Sequence, residues 1–184
     1  MKNIKIEITG ISPLLQHRFP MPENGEAKKP IRKNKEQQTD DVEKSLYRLP
    51  DGTIIQPALH IITSMKKGAA KFQVPGSGKL TFKNIVGGGA VIITPESIPH
   101  KIQTYEIDRR PVVVPSTKGR VVRERPVFNN WRLCFEVEFD ESEISASDIH
   151  EILAYAGRRV GIGDFRPERG GSFGRFVISE FKER

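Results

Sequence analysis

The stretch of this sequence richest in chemistry is GIGDFRPERGGSFGRF, residues 161–176. Five glycines, three arginines and three phenylalanines share its sixteen positions. A polyanion is held by distributed cations, by backbone N–H groups that approach closely, and by flat rings on which bases stack. Gly161, Gly163, Gly170, Gly171 and Gly174 remove side-chain bulk, Arg166, Arg169 and Arg175 bring charge, and Phe165 and Phe173 are potential stacking rings. Phe176 is expected to begin a strand and point inward. Asp164 and Glu168 offer a competing role, since they can pair with the arginines and brace the loop. The other basic segments weigh toward binding.

The strongest of those segments is RRPVVVPSTKGRVVRERPVFNNWR, residues 109–132, where Arg109, Arg110, Lys118, Arg120, Arg123, Arg125 and Arg132 face Glu124 alone. Arg109, Arg110, Arg120, Arg123 and Arg125 are the expected phosphate partners, and Lys66, Lys67 and Lys71 would extend the track. Catalytic chemistry has less to stand on. His17, His60, His100 and His150 form no HExxH pair, and a single cysteine, Cys134, cannot build a thiolate metal site. VGGGAV lacks the lysine and hydroxyl of a phosphate-binding GxxxxGK[ST] loop. GIGDFRPERGG follows a predicted helix and leads to a strand, the reverse of a dinucleotide-binding turn. His17, in PLLQHRF just after the first strand, is the one weak candidate for a general base acting on RNA. No metal and no cofactor is expected.

Across 184 residues, 30 Lys plus Arg against 23 Asp plus Glu give a formal charge of +7. That excess bears on solubility and anionic partners, not on fold. One cysteine excludes an internal disulfide. MKNIKIEITG has no apolar run of signal-peptide length, and no 18 consecutive residues are apolar, so a cytoplasmic protein with no membrane span is expected.

Elements must position these residues. Ile4, Ile6 and Ile8 alternate with Lys5 and Glu7, a half-buried strand closed by Gly10. Residues 20–45 hold almost no large apolar side chain, carry Lys28, Lys29, Arg32, Lys33 and Lys35, and are expected to be a mobile basic insertion. Pro57 opens a helix in which Leu59, Ile62, Met65, Ala69 and Phe72 form the apolar face, up to Pro75-Gly76. KLTFKNIVGGGAVIIT reads as two strands joined by a glycine-rich turn. Prolines 111, 115 and 126 argue against a helix, so residues 95–130 form a basic extended or hairpin-like arm. Trp131, Leu133, Phe135, Val137 and Phe139 then alternate as a strand. Ser145 and Ser147 are candidate N-caps for a helix that buries Ile149, Ile152, Leu153 and Ala156 and ends near Gly157. RFVISEF closes the chain as a strand. Stripped of insertions this is a single α+β domain over 1–184 of the ferredoxin-like (RRM-like) βαββαβ type, an antiparallel sheet with both helices on one face.

In three places the sequence resembles the RAMP superfamily, the ferredoxin-like proteins that form the guide-RNA-binding backbone of CRISPR effector complexes. GGSFGRF is similar to the G-[FY]-G-[RK] loop after that family's last helix. DGTIIQPALHIITSMKKGAAKF is similar to its first-helix signature, here with the basic-glycine turn Lys66-Lys67-Gly68, and ITGISPLL is similar to its first strand and loop. The chain also resembles phage proteins of similar size that end in GIGDFRP…GGxFGRF. The resemblance implies a single-stranded nucleic-acid-binding module, RNA favoured over DNA, whose copies stack along one strand as a homo-oligomer or within a larger ribonucleoprotein. Two alternatives share the fold. One is a metal-independent endoribonuclease of the guide-processing kind with His17 as base, and the other is a phage structural or assembly protein.

Overall fold

The computed structural model describes residues 1–19, 42–113 and 119–184. The basic insertion expected over 20–45 lies outside the described residues except for 42–45, as does the stretch 114–118 within the arm.

Strand β1 (Lys2–Gly10) is the middle of the fold. Its two-residue period turns Ile4, Ile6 and Ile8 inward, each fully buried, and leaves Lys5 and Glu7 on the other face. It pairs antiparallel with β8 (Arg132–Phe139) on one side and with β9 (Phe176–Glu183) on the other. β4 (Val91–Thr94) adds to β8, giving the order β4-β8-β1-β9. Every neighbour is antiparallel, the arrangement of a split βαβ pair. The fold is therefore α+β and ferredoxin-like, as the order of elements predicts.

Two helices cover the inner face, α1 (Ala58–Ala69) and α3 (Ala146–Arg159). They approach closely because Gly68 has no side chain: a Cβ there would sit 3.1 Å from that of Ala156 and 3.2 Å from the Ile152 carbonyl. Ser145 is the N-cap of α3, in a capping box with Asp148. The helix runs past Gly157, the expected end, because that glycine serves packing: a Cβ would strike the Phe176 ring and carbonyl. On α1 the buried residues are Ala58, Ile61, Ser64, Met65, Gly68 and Ala69, whereas Leu59, expected on that face, is 65% exposed. Phe72 lies past the helix, edge-on to Tyr155.

The strand pair expected at 79–94 is half wrong. Lys83–Gly87 form a short helix, α2, before β4. Phe82 and Val86 are buried and four residues apart, with Ile85 packed beside them, which is the spacing of a helix face. Two short strands, β3 (Ile55–Pro57) and β5 (Ser97–Pro99), pair beside α1.

A second sheet is built on the arm. β6 (Glu106–Val113) and β7 (Arg120–Phe128) form an antiparallel hairpin, and β2 (Leu14–Leu15) pairs with the far end of β7, Leu14 opposite Phe128 and Leu15 opposite Val127. The base of β7 is buried from Arg125 to Phe128, while its first half is exposed. Between the two sheets Trp131, 1% exposed, donates its indole N–H to the Ser12 carbonyl. Among the described residues no helix is long and apolar enough to cross a membrane.

Candidate nucleic-acid interface

The glycine-rich segment after α3 is a folded platform laid against β2 and the hairpin. Asp164 N–H donates to the Leu15 carbonyl, Gly174 N–H to the Pro13 carbonyl and Ile162 N–H to the Gly174 carbonyl, and Phe173 N–H returns to the Phe165 carbonyl. A single turn of 3-10 helix, Pro167–Arg169, sits in the middle. The glycines were expected to let backbone approach a ligand. Three of them instead let the backbone approach itself: a Cβ at Gly163, Gly171 or Gly174 would collide with the carbonyl of Leu15, Phe165 or Ile162 respectively. Gly161, Gly163, Gly170 and Gly174 also adopt positive φ.

One non-glycine joins them. Phe165 has φ +52°, a left-handed conformation that costs a side-chain-bearing residue energy and so marks a constrained position. The Asp164 carboxylate accepts the Phe165 N–H at 3.0 Å. The Phe165 ring is 40% exposed and meets Phe173 edge to face, centroids 6.4 Å apart.

The hairpin presents one face to this platform. Residues directly opposite in an antiparallel pair share a face, so Asp108 with Arg125 and Arg110 with Arg123 lie together. Arg110 lies over the Phe173 ring, its guanidinium carbon 4.8 Å from the centroid, and pairs with Asp108. Arg123 is exposed, with Nη1 3.4 Å from His17 Nε2. On the opposite face Arg109 pairs with Glu124 at 3.1 Å, and Arg120 lies at the exposed start of β7.

Not every arginine singled out in the sequence faces solvent. Arg125 is 2% exposed, held by Asp164 at 2.8 Å and Asp108 at 3.3 Å. Arg166 donates to Glu168 and to the Gly163 carbonyl, and Lys67 of α1 also pairs with Glu168, which ties that helix to the platform. Those two cations hold the Glu168 carboxyl below its ordinary range, Lys67 most strongly. Arg169 is exposed and Arg175 half-buried, with the Arg175 N–H donated to the Ser12 hydroxyl. Lys66 lies along Gly87 of α2, and Lys71 is exposed beyond the end of α1.

Burial lowers the affinity of His17 for a proton, Asp164 opposes that, and Arg123 and Arg125 add to it. Burial alone would raise the Asp164 carboxyl, but the Arg125 guanidinium and the Phe165 N–H hold it below the ordinary value. Sequence reasoning missed Asp108, the carboxylate that links Arg110 to Arg125. Its signal was present in DRR, because residues 108 and 110 share a face of any strand.

No family model matches the sequence, and no curated protein matches it. Among solved structures, a chain of the cryo-EM structure of Type III-B Cmr-beta bound to cognate target RNA is similar, with a TM-score of 0.62 at 11% identity. The match covers 99% of this chain and 60% of that one, so this chain spans less than two-thirds of its neighbour's length. At that identity the likeness shows the fold alone, the ferredoxin-like arrangement described above.

Proposed function

We propose that this chain is a single-domain module that binds single-stranded nucleic acid, RNA in preference to DNA, between the hairpin and the glycine-rich platform. The observation that carries it is Arg110 directly opposite Arg123, two like charges in register on one face of the hairpin. Like charges so placed destabilise a sheet unless an anion lies between or beside them. Asp108 neutralises Arg110, and among the described residues Arg123 meets only the ring edge of His17. A phosphate seated there would complete the charge pattern. The exposed Phe165 ring and the Phe173 edge beside it offer stacking surface for the attached base.

The open face of the main sheet is a poorer platform. Where an RRM places aromatic rings for stacking, this face carries Lys5, Glu7, Glu136 and Glu138, with Glu7 paired to Lys101 and Glu136 to Arg184. The preference for RNA is supported by the similar chain's coming from a structure of Type III-B Cmr-beta bound to cognate target RNA. Assembly of several copies along one strand, or within a larger ribonucleoprotein, belongs to the same proposal.

Fluorescence anisotropy with labelled oligo-RNA and oligo-DNA at about 50 and about 300 mM salt tests it. Salt-sensitive binding that prefers RNA is the expected result. Affinity that does not change with salt, or none at low salt, rules the proposal out.

A further inference from the structure

We propose that Arg125 contacts no nucleic acid and instead is a positioning residue, which couples the hairpin to the glycine-rich platform so that their cations and rings act as one surface. The inference rests on the binding function proposed above.

Arg125 is among the most buried side chains of the fold, yet it stands between two carboxylates on separate segments. Asp108 belongs to β6 and Asp164 to the platform, with 11% and 36% of their side chains exposed. The planar fork of a guanidinium aims separate N–H donors at both carboxylates in a fixed geometry, which the compact ammonium of a lysine does not provide. The links continue outward on each side. Asp108 also holds Arg110, and Arg110 lies on Phe173 of the platform; Asp164 also holds the N–H of the strained Phe165. Two routes therefore join hairpin to platform, and both run through the Asp108–Arg125 pair or end beside it. The Arg125 guanidinium also sits 5.9 Å from the Phe165 centroid, beneath the ring that is offered to a base. Its Nε–H has no partner among the described residues, which leaves the two carboxylates as the contacts that hold it.

A buried arginine that only filled space would be replaceable without consequence for distant segments. A coupling residue behaves differently: breaking its bond on one side loosens the element on the other. Asp164→Asn weakens the link from the platform side and retains an amide oxygen for the Phe165 N–H. Hydrogen exchange on the free protein should then show amides of residues 106–113 exchanging about tenfold faster, although the substitution lies in another segment. Faster exchange confined to residues 161–176, with 106–113 unchanged, overturns the coupling whether or not the protein binds RNA.

Salt titration of oligo-RNA binding provides the second readout. Arg123→Ala, the loss of one exposed cation, should lower the slope of log affinity against log salt by about one. Arg125→Met and Asp164→Asn should each lower it by about two or more, because the hairpin cations no longer meet the strand together with the platform. Arg125→Lys keeps the charge but lacks the fork, and should behave like Arg125→Met. Full recovery by lysine, or a drop of one or less in both Arg125→Met and Asp164→Asn, assigns Arg125 an ordinary charge or packing role and overturns the inference. If the wild-type protein binds no RNA the function proposed above falls, while the exchange experiment still decides the coupling.

Discussion

Arg110 on strand β6 lies over the ring of Phe173 in the glycine-rich platform, its guanidinium carbon 4.8 Å from the ring centroid. Sixty-odd residues of sequence separate the two, and the contact closes the candidate interface on one side. A cation held over an aromatic face gains about 0.5–1 kcal/mol when exposed and more when desolvated. Here it also keeps a positive charge and a flat apolar surface side by side, the combination that a nucleotide's phosphate and base require.

That pairing makes Phe173 worth testing first. Phe173→Ala should weaken oligo-RNA binding by about 1–3 kcal/mol, or about 5- to 150-fold, while Phe173→Trp retains most of the affinity. Anisotropy titrations at one fixed salt concentration read this directly. Equal affinity for the alanine variant and the wild type would remove stacking at this ring from the mechanism.

The exposed arginines should differ in a way their pairing dictates. Arg123→Ala should lower the salt slope of RNA binding by about one, because Arg123 is exposed on the face turned to the platform. Arg109→Ala should lower it by less, because Arg109 is already paired with Glu124 and only part of its charge is available. Salt titrations of the two variants check the order; a larger loss for Arg109 would reverse the assignment of faces on the hairpin.

Two glycines in one loop provide a stability test. Gly174 has φ +67°, and a Cβ there would collide with the Ile162 carbonyl; Gly170 has φ +76° with nothing within 4 Å of that position. Gly174→Ala combines backbone strain with overpacking and should cost about 3 kcal/mol, whereas Gly170→Ala suffers strain alone and should cost about 1 kcal/mol. Urea denaturation of both variants measures the difference. Similar losses at the two sites would mean that the platform is not packed as tightly as the carbonyl contacts require.

Stability should also fall in acid through His100. Its ring is 3% exposed, lies against Phe128 at 4.6 Å between centroids, and has Nε2 3.3 Å from the Gln16 amide. Burial lowers its pKa to about 4. The unfolded chain takes up this proton near pH 6.5 and the folded chain resists it until about pH 4. The contribution of this residue to stability is therefore whole above pH 6.5, declines as the pH falls toward 4, and is lost below that. The interval corresponds to about 3 kcal/mol. A His100→Gln variant should show a correspondingly shallower dependence in urea denaturation between pH 7 and 4; an unchanged pH profile would place the acid sensitivity elsewhere.

Much of the frame was legible in the chain because it follows from local periodicity. The alternation in β1 and β8 and the Ser145 cap of α3 each depend on residues a few positions apart. Misreadings arose where two periods compete over a short run. Phe82, Ile85 and Val86 read as strand residues because the glycines that follow suggest a turn, and only their burial against the core shows the helical spacing. Spacing alone puts Leu59 on the buried face of α1; the core takes its neighbour Ala58 instead. Gly157 was expected to end a helix and proved to be a packing position.

By itself, the sequence determined the α+β order of elements and the gathering of basic and glycine-rich residues into two segments, since composition and period are local properties. Tertiary structure alone decided which cations are free. Arg123 and Arg125 are two positions apart on one strand, yet one is exposed and the other is 2% exposed between two carboxylates. Nothing near them in the chain distinguishes them. The difference comes from hairpin register, which sets Asp108 opposite Arg125 and Arg110 opposite Arg123, and from the platform folding back to bring Asp164 to the same place.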